Sequence, residues 1–239
     1  MNLDWRPPTL EIPRLILRPV TPADAAAVFL YASNPAVTRF TLFETHQTID
    51  DSRWFVVRNA AELLGKIGAH DAEQSLCALL THDDERVRGS ATIALVQLGT
   101  DSGRSAVVGA LDDSARTVRL YAVAALATGS PALMAPPVIR ALESERDEEV
   151  QAACLGALGR LATPDAVEQL VAYAQPSRGL FKRNAVSVRL AAVQALGRVG
   201  APVARAALTT LADDSVEEIS ELARGALTTR RGRRPALSR

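Results

Sequence analysis

The side chains best suited to do chemistry in this 239-residue chain are few: three histidines, His46, His70 and His82, and two cysteines, Cys77 and Cys154. A metal centre needs ligands that converge, commonly two histidines at i and i+4 on a helix. No histidine here has another four residues away, and His70 and His82 fall near opposite ends of one predicted helix. Neither a metal nor a cofactor is therefore expected. Both cysteines sit on predicted helices, Cys154 in a column of small apolar residues, which predicts buried free thiols. The sequence has no G-x-S-x-G nucleophile turn and no Gly-rich phosphate loop, and its many carboxylates single out no acid–base pair. The chemistry that the spacing does support is recognition. Arg88, Arg119 and Arg189 recur at one position of a repeat, where each can pair with a turn aspartate of an adjacent repeat, and this ladder is read as structural. In SRGLFKRN (177–184), Phe181 stands between Arg178 and Lys182-Arg183, a grouping suited to an acidic or phosphorylated partner.

The repeat is what must position these residues. Val56, Val87, Val118, Val150, Val188 and Ile219 lie 31, 31, 32, 38 and 31 residues apart. Small residues follow at +4 (Ala60, Ala91, Ala122, Cys154, Ala192, Ala223) and leucines at +8 (Leu64, Leu95, Leu126, Leu158, Leu196, Leu227). At about 3.6 residues per turn these positions share one helix face. Each copy thus carries an apolar stripe too small to form a core and must stack on its neighbours. Further helices are predicted between the copies, at Ala72 to Thr81, Arg104 to Leu111, Ala132 to Leu142, Asp165 to Ala174 and Val203 to Ala212. The fold class is therefore all-α, a solenoid of helical hairpins, with a short α+β-like N-terminal segment. Gly68, Gly99, Gly129 and Gly200 stand where left-handed C-caps are expected. The turn aspartates Asp83, Asp84, Asp112, Asp113, Asp147, Asp213 and Asp214 are expected to cap the helices that follow. Pro136 and Pro137 predict a kinked or delayed start to their helix. The 38-residue interval places about seven extra residues in a loop at 176–186.

The segments VRGSATIALVQLG (87–99) and VRLAAVQALGRVG (188–200) resemble the HEAT and HEAT-like repeat family, which includes repeats of the phycobilisome-lyase type. The resemblance covers about residues 52–229. It implies a right-handed superhelix whose second helices line the concave side, and it leaves function open. HEAT-like diiron hydroxylases carry His-Glu pairs, whereas His70 and His82 are each followed by Asp here. Alkylpurine DNA glycosylases with such repeats need a basic concave face that these copies lack. Bilin lyases are built from similar short repeats, so a bilin-lyase-like role stands as an alternative without a diagnostic residue.

Opposite the core stripe, at +2, +6 and +9, lie Arg58, Glu62, Ile93, Val96, Leu120, Leu190 and Gln194. This face is unusually apolar, and exposed apolar patches mark interaction sites. Together with Phe181, Lys182 and Arg183 these are the candidate partner-binding residues, and the function they point to is a non-catalytic protein-interaction or scaffold module. The partner expected is a protein. Lys and Arg number 27 and so do Asp and Glu, so the basic excess that a phosphate backbone demands is absent and nucleic acid is not expected. No apolar run approaches the roughly 18 to 20 residues that span a bilayer, and MNLDWRPPTLEIPR contains no apolar signal core, so a cytoplasmic, bacterial-type protein is expected.

The first segment differs. PRLILRPVTPADAAAVFLYASNPAVTRF (13–40) predicts a strand over Leu15 to Val20, a helix from Thr21 or Asp24 and a further helical turn from Asn34-Pro35. It resembles the opening strand and first helices of GNAT-family acetyltransferases, in particular those acting on protein N-terminal amines. That family holds acetyl-CoA on a Q/R-x-x-G-x-G/A turn opening a helix. QALGRVG (194–200) approaches it, but Val199 stands where Gly or Ala is required. The predicted organisation is a GNAT-like fragment or cap over 1–51, the solenoid over 52–229 and a basic, disordered tail over 230–239. A truncated or partner-dependent N-acetyltransferase is the alternative function.

Overall fold

The computed structural model describes residues 10–12, 15–17, 21–41, 43–176 and 184–229. Leu10–Ile12 (β1) and Leu15–Leu17 (β2) pair antiparallel with Leu10 opposite Leu17. A short 3-10 turn, Pro22–Asp24, leads into α1 (Ala25–Ala32). Asn34 then accepts the Ala36 N–H at 2.9 Å and starts α2 (Pro35–Thr38), the turn predicted from Asn34-Pro35. The first repeat copy forms α3 (Ile49–Lys66). Five hairpins follow: α4 (Glu73–Leu79) with α5 (Glu85–Leu98), α6 (Asp101–Val107) with α7 (Arg116–Leu126), α8 (Pro131–Ser144) with α9 (Glu148–Leu161), α10 (Pro164–Ala174) with α11 (Val186–Arg198), and α12 (Pro202–Leu211) with α13 (Glu217–Thr229). The chain is a solenoid of helical hairpins in which α3 opens the second-helix layer without a first helix of the same kind before it.

The repeat columns become the core. Val87, Val118, Val150, Val188 and Ile219 are all buried, as are Leu95, Leu126, Leu158 and Leu196. One cluster runs from Ala61 to Ala223 through every hairpin. A second, smaller cluster of Val28, Ala32 and Val56, flanked by Phe43 and Phe55, fastens α1 to α3. Each second helix packs on the next, α3 on α5 through to α11 on α13, more closely than the first helices pack on one another. Glycine makes part of this approach possible. A Cβ at Gly159 would lie 2.8 Å from Ala195 Cβ and 3.1 Å from its Cα. Gly159→Ala should therefore force α9 and α11 apart and cost about 1–3 kcal/mol, measured by urea denaturation against the Gly156→Ala control, where the added Cβ would meet nothing within 4 Å.

Helix starts follow the aspartate expectation, with a division of labour. The second aspartate of each pair does the work: Asp84 accepts the Arg86 N–H at 2.8 Å, Asp113 that of Ala115 at 2.8 Å and Asp214 that of Val216 at 2.9 Å. Asp147 accepts from both Glu149 and Val150.

Four expectations are corrected. In the first copy Ala60 is exposed and Leu64 only half-buried, while Ala61 and Gly65 face the core. This helix receives α1 on one side and α5 on the other, which turns its buried face by one residue. Among the proposed glycine caps only Gly68 and Gly99 adopt positive φ, 67° and 73°. Gly129 is needed for space, since a Cβ there would stand 2.7 Å from Met134 Cγ and 2.9 Å from Arg104 Cδ; the left-handed cap of α9 is instead Ala162, at φ 51°. Helix α8 begins at Pro131 and runs on through Pro136 and Pro137, so they do not delay its start. The division drawn at residue 52 falls inside α3.

Candidate partner-binding groove

The site is built from the start of α3. Thr48 and Asp51 form a reciprocal capping box: Thr48 Oγ1 accepts the Asp51 N–H and Asp51 Oδ2 accepts the Thr48 N–H at 2.9 Å. The other oxygen of Asp51 accepts from Arg86 Nη1 at 2.8 Å, and Asp84 accepts from Arg86 Nη2 at 2.8 Å. One turn after Asp51, Trp54 presents its ring to two cations, Arg58 at 5.1 Å and Arg86 at 5.3 Å from the ring centroid. The Arg86 guanidinium holds the Asp51 carboxyl down at about 2, and hydrogen bonds from Thr48 and Gln47 act in the same direction against the opposing effect of burial. Arg86 also lowers the Asp84 carboxyl. Arg86 is thus committed to two carboxylates. Arg58 is exposed and makes no hydrogen bond or ion pair among the described residues; its neighbour Glu62 is bound by Lys66 at 2.6 Å.

Two pockets flank this Trp–Arg wall. One, of about 370 Å³, opens toward the N-terminal segment, where Phe43, His46 and Phe55 meet Trp54 and Arg58. The Phe43, His46 and Phe55 rings are mutually packed at centroid distances of 4.9–5.5 Å. His46 is fixed there by its Nδ1 at 2.8 Å from Ser52 Oγ and by its backbone N–H donating to Ala32 O. The other, of about 230 Å³, lies across α3, α5 and α7 and is lined by Trp54, Arg58, Arg86, Ile93 and Tyr121 with Ser90 and Thr117 between. Tyr121 reaches it over Gly89, where a Cβ would meet the ring at 2.9 Å. Trp54, Arg58 and Arg86 line both pockets, so the two form one groove on the second-helix face. The indole N–H of Trp54 is buried and has no acceptor among the described residues.

Of the candidate residues, Arg58 and Ile93 meet in this groove and Glu62 lies one turn from Arg58. Val96 and Leu120 are half-buried and packed against the main core. Leu190, also half-buried against the core, and the exposed Gln194 sit on α11, two second helices beyond α7. Phe181, Lys182 and Arg183, like the tail at 230–239, lie outside the described residues. The residues of the second pocket not anticipated are Trp54, Glu85, Arg86, Ser90, Thr117 and Tyr121. Four of them, Trp54, Glu85, Arg86 and Thr117, occupy the two positions before a Val anchor, which face the same way as +2 and +6, so continuing that column one turn toward the helix start would have included them; Ser90 and Tyr121 stand at +3 and lie off that column.

The arginine ladder is formed, with one change of partner. Arg88 donates to Asp113 through Nε at 2.6 Å and Nη2 at 2.8 Å, and Arg189 Nη2 meets Asp214 Oδ2 at 2.5 Å. Arg119 takes Glu145, not an aspartate, with Nε at 2.8 Å from Oε2, because Glu145 is the residue in that turn whose carboxylate also accepts the Arg146 and Asp147 N–H groups. Each arginine also donates back to carbonyls of the turn before it: His82 and Asp83, Asp113 and Ser114, and Ala174. In the fourth copy Gln151 replaces arginine and donates to Glu145 O at 2.8 Å.

Cys77 and Cys154 are free thiols, and burial pushes Cys154 up to about 12. Among the described residues no three metal-ligating side chains converge, and no helix is long and apolar enough to cross a membrane.

The chain is 35% identical over 85 residues to the uncharacterized N-acetyltransferase YoaA of Bacillus subtilis (strain 168), a match that takes in 28% of this chain; the chain spans about half, 48%, of that protein's length. Among solved structures it is similar to human deoxyhypusine hydroxylase in complex with glycerol, at 18% identity over 88% of this chain and 97% of that one, with a TM-score of 0.46. It is also similar to the CpcE–CpcF complex of phycocyanin lyase from Nostoc sp. PCC7120, at 19% identity over 92% and 80% of the two chains, with a TM-score of 0.48. A designed armadillo repeat protein in complex with a (KR)4 peptide matches at 19% identity over 86% and 98%, with a TM-score of 0.49. The HEAT-repeat family matches directly and repeatedly, at residues 45–127, 106–187 and 135–228, which takes in every hairpin and the helix that carries Trp54, and this chain belongs to that family.

Proposed function

We propose that this protein is a non-catalytic interaction module that docks an extended protein segment along the concave, second-helix face, with the Trp54–Tyr121 groove as its principal contact. The observation that carries this reading is the groove itself: an aromatic wall with one uncommitted arginine and an open, partly apolar floor, the composition in which binding energy concentrates at interfaces. A test by Leu120→Asp with Leu190→Asp would confuse binding with folding, since both side chains pack on the core. Tyr121 and Arg58 are exposed and serve better. Affinity capture by the full chain, followed by titration of the captured partner, should show binding weakened at least about tenfold in Tyr121→Ser and Arg58→Glu, with unchanged thermal melting. Equal affinity in both variants would sink the groove as the docking site.

A second reading, a partner-dependent acetyltransferase relative, is favoured by the match to YoaA. Calorimetric titration of the full chain with acetyl-CoA decides it: saturable heat supports that reading, and its absence leaves the interaction module.

A further inference from the structure

The two donors and the rings around Trp54 specify the chemistry of an occupant more closely than apolar contact alone does. Trp54 Nε1 is a buried donor without an acceptor among the described residues, a condition that is destabilising when unrelieved. Arg58 is the cation of the wall that forms no ion pair among the described residues: Asp51 and Asp84 bind Arg86, and Glu62, which feels the Arg58 charge, is bound by Lys66. An acceptor with negative charge, entering beside the Trp54 ring, would satisfy Arg58, and would reach the covered indole N–H once the ring tilts to expose it. The surroundings limit how much negative charge is welcome, because Glu44 lines one pocket and Glu85 the other. Apolar contacts are available on each side of the wall, from Phe43 and Phe55 toward the N-terminal segment and from Ile93 and Tyr121 toward α7.

We infer that the groove reads a single carboxylate side chain flanked by apolar residues in an extended peptide of the partner, the carboxylate held by Arg58 and the Trp54 indole N–H. This deepens the docking reading above and rests on it. A run of acidic residues is disfavoured by Glu44 and Glu85, and a neutral segment leaves both donors unmet.

The test uses blocked peptides, so that no terminal carboxylate competes: acetyl-Ala-Phe-Glu-Leu-Ala-amide, the same peptide with Gln for Glu, and blocked hexaglutamate. The full chain has two tryptophans, and Trp5→Phe leaves the Trp54 indole N–H as a single nitrogen-15 NMR signal. The Glu peptide should shift that signal downfield and bind about tenfold more tightly than the Gln peptide, and Arg58→Gln should abolish the difference. Equal binding of Glu and Gln peptides, tighter binding of hexaglutamate, or an unmoved indole signal would each overturn the inference. None of these outcomes touches the docking reading, which fails only if a captured partner ignores Tyr121→Ser and Arg58→Glu.

Discussion

Replacing Arg189 with methionine is expected to destabilise the fold by about 3–5 kcal/mol, the largest effect of any single polar substitution in this chain. The Arg189 and Asp214 side chains are 6% and 4% exposed, so the carboxylate left behind has no water to replace its partner. Burial by itself would raise the Asp214 carboxyl, yet the hydrogen bonds from Arg189 and from the Val216 N–H bring it below the ordinary value. A carboxyl lowered in the folded state contributes stability that is present above its unfolded pKa, about 3.9, and is lost as pH falls through the lower folded value. In Arg189→Met the lowering hydrogen bond is gone, so Asp214 protonates at higher pH and the penalty is relieved there. The gap between the two proteins should therefore be widest near pH 7 and narrow below about pH 4. The double variant Arg189→Met/Asp214→Asn removes the stranded charge and keeps an acceptor for Val216; it should recover a substantial part of the loss. Urea denaturation at pH 7 and pH 4 checks all three. A gap that is independent of pH would show that lost packing of the arginine stem, not the stranded carboxylate, is responsible.

Leu126→Ala is the second large effect, at about 2–5 kcal/mol. Leu126 is fully buried at the end of α7, which stands between α5 and α9 in the second-helix layer. In a stacked array stability is approximately a sum of repeat and neighbour terms, so damage in the middle weakens both flanking interfaces at once. The expected signature is a lower urea midpoint together with amide exchange that accelerates first in α5, α7 and α9 while α13 keeps its protection. A midpoint within the error of the unsubstituted protein would mean that the surrounding helices close the cavity completely.

The solenoid was legible in the sequence because its signal is repeated. A Val, a small residue and a Leu at fixed offsets can only share a face if the segment is helical, and four of the six copies bury all three columns as the periodicity requires, while the last buries Ile219 and Ala223 and leaves Leu227 half-buried. The copy that turns its face, α3, has a different neighbour. Nothing in the period records that α1 packs against it, so the burial of Ala61 in place of Ala60 belongs to tertiary context. The caps at Gly129 and Ala162 show the same limit: glycine can be required for space as well as for φ, and a left-handed cap can be held by alanine when the rest of the structure insists. The groove was half legible. Arg58 and Ile93 lie on the predicted face, but Trp54, Arg86 and Tyr121 converge on them from three different helices, and that meeting depends on the angle between repeats. Gly89 helps set that meeting, because its missing side chain is what allows Tyr121 to lie across α5.

The direction of the arginine ladder has a consequence for how the chain is made. Arg88, Arg119 and Arg189 find their carboxylates 25, 26 and 25 residues later in the sequence, while the carbonyls that also hold them lie upstream. During synthesis from the N-terminus each guanidinium is therefore seated on finished backbone before its counter-charge leaves the ribosome. At these three repeats the growing end carries a cation that faces the next turn to emerge without its counter-charge. Arrival of that turn neutralises the cation and seals the helix beneath it, so repeats close in the order in which they are translated.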